Sequence, residues 1–200
     1  MNYTVATDVL KQDIILARLI EQIGECRLNQ VQQTGDLLDC LCRAIIYQQL
    51  SGKAAAAIHH RFLELYTDSF TFSHILNTPD DVLRSVGISR PKISYLKDLA
   101  QRFEELPSLD DLQTIDDESI IKCLTTVKGI GRWTVQMLLI FRLHRWDVLP
   151  VDDLGIRAAI RNVYSLTDLP NKQTVEQLGQ PWKPYRTIAC WYLWQSLENA

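Results

Sequence analysis

Apolar residues recur at helical spacing along most of the chain, so that they would fall on one face of each helix. Residues 8–23, 36–50 and 52–66 show this pattern clearly, and no stretch reads convincingly as a strand. Further helices are predicted at residues 79–86, 90–105, 116–123, 132–143, 153–164, 174–178 and 184–197. The pattern therefore predicts an all-α protein of about ten helices.

A Gly-Ile-Gly turn at residues 129–131 separates two of these helices and opens the second one. Glycine lets a backbone approach a phosphate closely, and the first N–H groups of a helix have no partner within it and attract an anion. The sequence thus predicts a helix-hairpin-helix that binds phosphate. Its binding residues would be Lys128, Gly129, Ile130, Gly131, Arg132 and Thr134, and the carbonyls of Thr125, Val127 and Ile130 could hold a monovalent cation. A Gly-x-Gly alone is weak evidence, since many such pairs are simple turns.

Two adjacent aspartates, Asp152 and Asp153, follow Pro150 at the start of another predicted helix. Aspartate is a favoured N-cap residue, so both carboxylates could be caps and nothing more. A carboxylate placed there could also stabilise positive charge in a reaction. Together with the hairpin, the pair points to a protein that holds a nucleic acid and does chemistry on it.

The charge balance restricts how such a protein could hold DNA. The chain has 200 residues with 21 Lys and Arg against 24 Asp and Glu, which gives a net charge of -3. This argues against a polycation that coats nucleic acid without specificity. A DNA-binding protein of this composition must depend on backbone amides and a few well-placed cations.

The cysteines and histidines predict no metal or redox centre. There are five cysteines, an odd number with no CxxC pair, which indicates neither a disulfide framework nor a zinc or iron–sulfur site. We expect reduced, mostly buried thiols. His59 and His60 lack partners at metal-ligand spacing, so we expect polar residues at the surface or between the lobes there.

No signal peptide and no membrane span are visible in the sequence. The most apolar stretch, residues 135–143, is far shorter than the roughly 18 residues a span needs, and Gln136 and Arg142 interrupt it. We therefore expect a protein that is neither secreted nor embedded in a membrane.

The order of these motifs resembles a known family. The hairpin is followed by Arg132-Trp133-Thr134, an apolar helix, Asp147-Val148, Pro150 and then residues 152–157, which read DDLGIR. This resembles the helix-hairpin-helix superfamily of DNA base-excision glycosylases, and most of all its DNA-3-methyladenine glycosylase II branch. Residues 44–55, 83–100 and 182–186 agree with other segments of the family, so that the resemblance covers about residues 36–197.

The resemblance implies two helical lobes with an active-site cleft between them. One lobe would span residues 36–144 and contain the hairpin. The other would combine residues 1–35 with 145–200 and carry the catalytic aspartate. The chain is shorter than some family members, and we expect no extra N-terminal β domain.

The resemblance also assigns a DNA wedge to the loop at Gln48, Gln49 and Leu50. A glycosylase must bring its target base out of the helix, and a planar or apolar side chain can replace the lost stacking. The resemblance does not decide between Gln49 and Leu50. The alternative is that Leu50 packs against Ala55 as a hydrophobic staple.

Trp133, Trp182 and Tyr47 are the candidates for a base pocket, because each lies beside one of the motifs. Alkylated purines that carry positive charge are attracted to the π faces of aromatic rings. The alternative for each ring is ordinary core packing, which we expect for Trp191 and Trp194.

Read against the family pattern, Asp153 is the catalytic carboxylate and Asp152 a helix cap or an outer residue. The superfamily members that also cleave the DNA strand carry a Lys where this chain has Trp133. The resemblance therefore implies a monofunctional enzyme that uses water as the nucleophile.

The sequence as a whole predicts a monofunctional glycosylase that removes 3-methyladenine and related alkylated purines from double-stranded DNA. We expect a monomer without cofactor, in the cytoplasm with the nucleoid or in the nucleus. Two alternatives remain open. One is a DNA-binding protein without catalysis, and the other is a glycosylase for a different class of lesion.

Overall fold

The computed structural model describes residues 3–31, 34–66 and 70–198, and all regular structure in these ranges is helical. The helices are α1 (Thr4–Leu10), α2 (Ile14–Ile23), α3 (Leu37–Tyr47), α4 (Gly52–Leu63), α5 (Phe72–Asn77), α6 (Asp80–Ser85), α7 (Arg90–Arg102), α8 (Leu109–Thr114), α9 (Asp117–Leu124), α10 (Arg132–Phe141), α11 (Leu154–Val163), α12 (Lys172–Leu178) and α13 (Arg186–Glu198). Short 3-10 helices lie at Leu28–Val31 and Phe103–Glu105. The prediction of an all-α protein is confirmed.

One predicted helix is wrong. Residues 8–23 were expected to form a single helix, but α1 ends at Leu10 and α2 begins at Ile14. Asp13 separates them, because its Oδ1 accepts hydrogen bonds from the N–H groups of Ile15 and Leu16 and so caps α2. The apolar periodicity continues across the break and conceals it.

Two short helices were not predicted at all. α5 and α8 have six residues each, too few for a periodic pattern to stand out, and both are defined by capping boxes. Thr78 is the C-cap of α5, and the helix predicted from residue 79 begins after Pro79 as α6.

The chain forms two compact units. One comprises Met1–Gln32 with Gln136–Ala200, and the other comprises Gln33–Val135. The change from one unit to the other falls inside α10, whereas the sequence placed the end of the first lobe at residue 144. The lobe boundaries and the cleft between the lobes stay predictions.

In the unit Gln33–Val135, α3 packs against α4 and α7, and α5 packs against α7. α3 begins with a capping box at Asp36 and buries a nearly continuous apolar face, which comprises Leu37, Leu38, Leu41, Ile45 and Ile46. Each such side chain contributes roughly 1.5–3 kcal/mol when it is fully buried. This packing fixes the end of α3, from which the predicted wedge loop leads off.

In the other unit, α13 packs against α1, α2 and α11. The seven consecutive residues from Thr187 to Leu193 are all buried, so this helix is covered on all sides over two turns. A helix packed in this way has little freedom to rotate or slide. It is therefore a rigid support for the side chains that it presents to the loop before α11.

Candidate active site

The predicted hairpin is present. α9 and α10 are joined by residues 125–131, in which the N–H of Ile130 donates to the carbonyl of Val127 at 3.1 Å. Val127 and Ile130 are both buried and anchor the turn from within. The backbone conformation of the turn, and with it the positions of Gly129 and Gly131, is therefore set by this hydrogen bond and by the two buried side chains.

Gly129 is required by the fold itself. Its φ is +83°, a left-handed conformation that residues with a side chain rarely adopt. A Cβ at this position would also overlap the ring of Tyr95, whose Cε2 would lie only 2.8 Å away. Its carbonyl accepts a hydrogen bond of 2.8 Å from Nε2 of Gln48.

Gly131 differs from Gly129 in this respect. It is exposed, its φ is not positive, and a Cβ built on it would have no atom within 4 Å beyond its two chain neighbours. Nothing in the folded chain therefore requires glycine at this position. A ligand that comes close to the backbone at Gly131 would require glycine there.

The two predicted phosphate-binding cations are exposed, and each makes a side-chain contact at the protein surface. The backbone N–H of Lys128 donates to Oδ2 of Asp98 at 2.7 Å, and its Nζ donates to Oγ of Ser94 at 3.1 Å. The guanidinium of Arg132 pairs with the carboxylate of Glu118, with 2.9 Å between Nη1 and Oε2. Exposed pairs of this kind are weak, so an incoming phosphate could replace them.

The remaining residues of the predicted phosphate site do not face outward. Ile130 is buried, and so is Thr134 in the first turn of α10. Their contribution to an anion site would be through the backbone, while Lys128 and Arg132 would contribute side chains.

The predicted wedge loop is tied to the hairpin by one of its three residues. Gln48 makes the hydrogen bond to the carbonyl of Gly129, and its own carbonyl accepts from Nζ of Lys92 at 2.7 Å. The same ammonium donates to the carbonyl of Ile46 at 2.8 Å, and burial lowers the pKa of Lys92. Sequence reasoning missed Lys92 altogether.

The other two wedge residues are free to project. Gln49 is exposed with a φ of +57°, which marks a sharp turn in the backbone, and Leu50 is 39% exposed. Gln48 therefore holds the loop in place, whereas Gln49 and Leu50 are its exposed tip. The choice between these two stays a prediction.

Two of the three predicted pocket rings belong to the unit Gln33–Val135. Trp133, in the first turn of α10, is 44% exposed, which is unusual for so large an apolar side chain. Tyr47 is the last residue of α3 and half-buried, with the guanidinium of Arg43 4.7 Å from its ring centre.

The third ring, Trp182, lies in the other unit and is fully buried. Its Nε1 donates to Oδ2 of Asp13 at 3.1 Å, and the hydroxyl of Tyr164 donates to the same oxygen. Burial alone would raise the pKa of Asp13, but hydrogen bonds from Tyr164, Trp182 and two backbone N–H groups outweigh it and lower that pKa. The pocket role of Trp182 stays a prediction, and in this structure no face of the ring is exposed.

Asp153 is a buried carboxylate at the first turn of α11. It is 9% exposed, and its Oδ1 accepts a hydrogen bond of 2.7 Å from the N–H of Ile156. Asp152 was predicted to be either a helix cap or an outer residue, and it is not the cap, because Asp153 holds that position. Asp152 is instead exposed and pairs with Nζ of Lys172 at 2.7 Å.

A second donor reaches the same oxygen from α13. Nε1 of Trp194 lies 3.0 Å from Oδ1 of Asp153. The sequence assigned Trp194 only to core packing, since a separation of 41 residues gives no local signal of this contact. Asp153 is thus the only one of the two adjacent aspartates that the fold buries and orients.

The loop that leads to Asp153 is also attached to α13. Arg186 makes a two-point contact with the carboxylate of Asp147, at 2.6 and 2.9 Å. The hydroxyl of Thr187 donates to the carbonyl of Arg145 at 2.7 Å and accepts from the N–H of Val148 at 3.0 Å. Burial raises the pKa of Cys190, the next polar neighbour, so this thiol stays neutral.

All five cysteines lie in the described ranges, where none forms a disulfide, and four of them are buried. Within those ranges no three His, Cys, Asp or Glu side chains are grouped as a metal site would require. No helix among the described residues is long and apolar enough to cross a membrane.

The hairpin, the buried aspartate and the all-helical fold together define a DNA repair protein, and comparison with known proteins agrees. The chain belongs to the HhH-GPD superfamily of base excision DNA repair proteins, whose pattern matches residues 42–184. Among curated relatives, DNA-3-methyladenine glycosylase 1 of Schizosaccharomyces pombe is 36% identical over 98% of this chain and 91% of its own length. The alkylbase DNA glycosidase-like protein mag2 of the same organism is 32% identical over 88% of this chain and 85% of its own.

Solved structures support the fold directly. A 3-methyladenine DNA glycosylase (Mag1) from Schizosaccharomyces pombe, in complex with abasic DNA, superimposes with a TM-score of 0.90 at 37% identity, over 98% of this chain and 97% of that one. A DNA-3-methyladenine glycosidase from Bacillus halodurans gives a TM-score of 0.84 at 32% identity, over 98% and 91% of the two chains. The resemblance inferred from the sequence motifs is confirmed.

Proposed function

We propose that this protein is a DNA glycosylase that releases 3-methyladenine and related alkylated purines from double-stranded DNA in base excision repair. The observation that carries the proposal is Asp153, a buried carboxylate oriented by two N–H donors at the end of a loop anchored to α13. The relatives named above as 3-methyladenine glycosylases supply the substrate class.

The reaction needs a negative charge beside the sugar. When the bond between C1′ and the base nitrogen breaks, its electron pair leaves with the base and the sugar becomes an oxocarbenium-like cation. The carboxylate of Asp153 would stabilise that cation. Water then adds to C1′ and gives up a proton to the carboxylate or to solvent, which leaves an abasic site.

The substrate itself explains why one carboxylate would suffice. A 3-methylated adenine nucleotide carries a positive charge on its base, and the departing electron pair neutralises it. The base is therefore a good leaving group without prior protonation by a general acid. An exposed aromatic ring such as Trp133 would favour a cationic base over an undamaged one.

The hairpin would hold the DNA backbone. Gly131 has no steric reason within the fold to be glycine, and the close approach of a phosphate to its backbone supplies one. Lys128 and Arg132 would add charge beside it. The neutral carbonyl oxygens of Thr125, Val127 and Ile130 suit a monovalent cation, which would bridge the turn to the phosphate.

We also propose that the enzyme is monofunctional. The strand-cleaving members of the superfamily use a lysine amine to form a Schiff base with the sugar, and Trp133 at that position offers no amine. The neighbouring Lys128 bonds to Ser94 at the hairpin and would face phosphate. Incubation with abasic DNA and borohydride should therefore trap no covalent complex.

The remaining parts of the proposal concern the setting of the reaction. We expect the protein to act as a monomer without a redox cofactor. Since its substrate is chromosomal DNA, we place it with the nucleoid in the cytoplasm or in the nucleus.

The experiment that tests the function is chromatography of the bases freed from methylated genomic DNA, followed by treatment of the DNA to reveal abasic sites. We expect free 3-methyladenine and an equal number of abasic sites. If the protein binds DNA but frees no base from methylated, oxidised or deaminated DNA, it is a binding protein without catalysis. If it frees only oxidised or deaminated bases, the lesion class is wrong.

A further inference from the structure

We infer that Trp194 is a positioning residue for Asp153, and that Gly155 provides the space that lets the indole reach the carboxylate. This inference rests on the proposed function, in which Asp153 stabilises the sugar cation. It adds two residues whose roles neither the motif nor the resemblance assigns.

The contact between the two side chains is direct. Nε1 of Trp194 is 3.0 Å from Oδ1 of Asp153, and the N–H of Ile156 is 2.7 Å from the same oxygen. A carboxylate that accepts only the backbone cap can still turn about its last bond. With two donors from different helices on one oxygen, the plane of the carboxylate is defined.

The indole is itself held in place. Trp194 follows the fully buried stretch of α13, and its ring lies 5.8 Å from that of Phe141, measured between centroids. Its N–H is therefore aimed by packing before any DNA binds. A pre-oriented donor costs no rearrangement during the reaction, and this is the condition under which such contacts assist catalysis most.

Gly155 completes the arrangement for a steric reason. Its φ is not positive, so the backbone conformation does not demand glycine. A Cβ there would lie 3.0 Å from Oδ1 of Asp153 and 3.3 Å from Cδ1 of Trp194, tighter than ordinary contact with both. A side chain at 155 would therefore require the carboxylate or the indole to shift from the position that the hydrogen bond fixes.

The test uses Trp194→Phe, which keeps an aromatic ring on α13 but removes the N–H. We expect the rate of base release at saturating enzyme to fall about 10- to 100-fold, because a small displacement of a catalytic group has effects of that size. Affinity for abasic DNA should be unchanged. The matched control is Trp191→Phe, the same substitution on the same helix, for which we expect a rate within about twofold of wild type.

A double-variant comparison shows whether Trp194 acts through the carboxylate. In an Asp153→Asn background, Trp194→Phe should cause no further loss, because the charge that the indole positions is already gone. A further tenfold loss in that background would overturn the inference, and so would equal rates for Trp194→Phe and Trp191→Phe.

A second variant and a direct measurement cover the case in which Trp194→Phe does not fold. Gly155→Ala should lower the rate in the same way. In a ¹H–¹⁵N spectrum of the whole protein, the Trp194 indole signal is the one that disappears in Trp194→Phe or, if that variant does not fold, in Trp194→His. The chemical shift of this signal should change in Asp153→Asn, and that of the Trp191 indole should not. If the chemical shift of the Trp194 indole is the same in wild type and Asp153→Asn, the inference is overturned. If the wild-type protein releases no base, the proposed function fails together with the inference. If the wild-type protein is active and Gly155→Ala releases base at the same rate, only the inference is overturned.

Discussion

The hairpin turn, residues 125–131, and the Asp153 site, which comprises Asp153, Ile156 and Trp194, hold their proposed functional groups in opposite ways. In the hairpin the turn proposed to hold the phosphate is backbone, flanked by the side chains of Lys128 and Arg132, and it is fixed by bonds between near neighbours such as Ile130 and Val127. In the Asp153 site the proposed reactive group is a side chain, and a hydrogen bond from Trp194, 41 residues away in the sequence, fixes it. The comparison teaches that a phosphate can be held by local structure, whereas a charge aimed at one sugar needs support from the packed core.

This difference predicts that substitution of Asp153 lowers the rate of base release, whereas substitution of Gly131 lowers the affinity for DNA. Asp153→Asn should lower the maximal rate of base release by about 10²- to 10³-fold, because it removes the charge that stabilises the transition state. Single-turnover kinetics with a methylated duplex measures this, with affinity for abasic DNA measured in parallel. Asp152→Asn is the matched control and should stay within about twofold, since Asp152 is exposed and its ion pair with Lys172 lies on the surface.

The next largest effect is expected in the hairpin. Gly129→Ala should lower the free energy of unfolding by about 3 kcal/mol, because it combines a positive φ with an overlap against Tyr95. Denaturant unfolding followed by circular dichroism measures it. Gly131→Ala is the control for stability, since no atom beyond its two chain neighbours lies within 4 Å of its Cβ, and it should unfold as wild type does. Equal losses in both variants would contradict this account of the turn.

A smaller effect is expected at Asp13, which supports Trp182 as Trp194 supports Asp153. Asp13→Asn should cost about 2 kcal/mol at pH 7, because Oδ2 loses its role as a charged acceptor for Tyr164 and Trp182. The pKa of Asp13 is lowered in the folded protein, so its stabilising contribution is present above the unfolded value of about 3.9 and is lost as the pH falls through the folded value.

Unfolding of wild type and Asp13→Asn between pH 7 and pH 3 tests this sign. The gap in stability should be constant near neutral pH and should close only below about pH 4. A gap that widens on acidification would contradict the assignment of Asp13 as a charged acceptor.

The smallest predicted effect concerns the tie between the wedge loop and the hairpin. Gln48→Ala should lower the free energy of unfolding by about 1 kcal/mol, since it removes the bond to the carbonyl of Gly129. Its neighbour Gln49 is exposed, so Gln49→Ala should leave stability unchanged and alter only DNA binding or base release. If the two substitutions have the reverse pattern, Gln48 is the wedge and Gln49 the support.

The sequence was most informative where function depends on local structure. The hairpin could be predicted because its glycines, its flanking cations and the start of α10 are neighbours in the chain. The helices with long apolar faces, such as α3, could be predicted for the same reason. The break at Asp13 could not, because the apolar spacing continues through it and only the cap reveals it.

The sequence was least informative where function depends on packing. The bonds from Trp194 to Asp153 and from Gln48 to Gly129 span 41 and 81 residues, and no periodicity predicts which side chains meet across such distances. For Trp182 the place beside a motif favoured a pocket role, which stays a prediction, and no sequence pattern indicated that its ring would be fully buried with its N–H bonded to Asp13. The choice of Asp153 over Asp152 as the catalytic residue stays a prediction of the family pattern.

The central claim is that the hairpin grips DNA and Asp153 performs the chemistry, and one enzyme titration tests it most directly. Single-turnover base release is measured over a wide range of enzyme concentration for wild type, Gly131→Ala and Asp153→Asn. The account predicts that Gly131→Ala reaches the wild-type plateau at higher concentration, while Asp153→Asn keeps the wild-type midpoint with a far lower plateau. A wild-type plateau for Asp153→Asn, or a lowered plateau with an unchanged midpoint for Gly131→Ala, would contradict it.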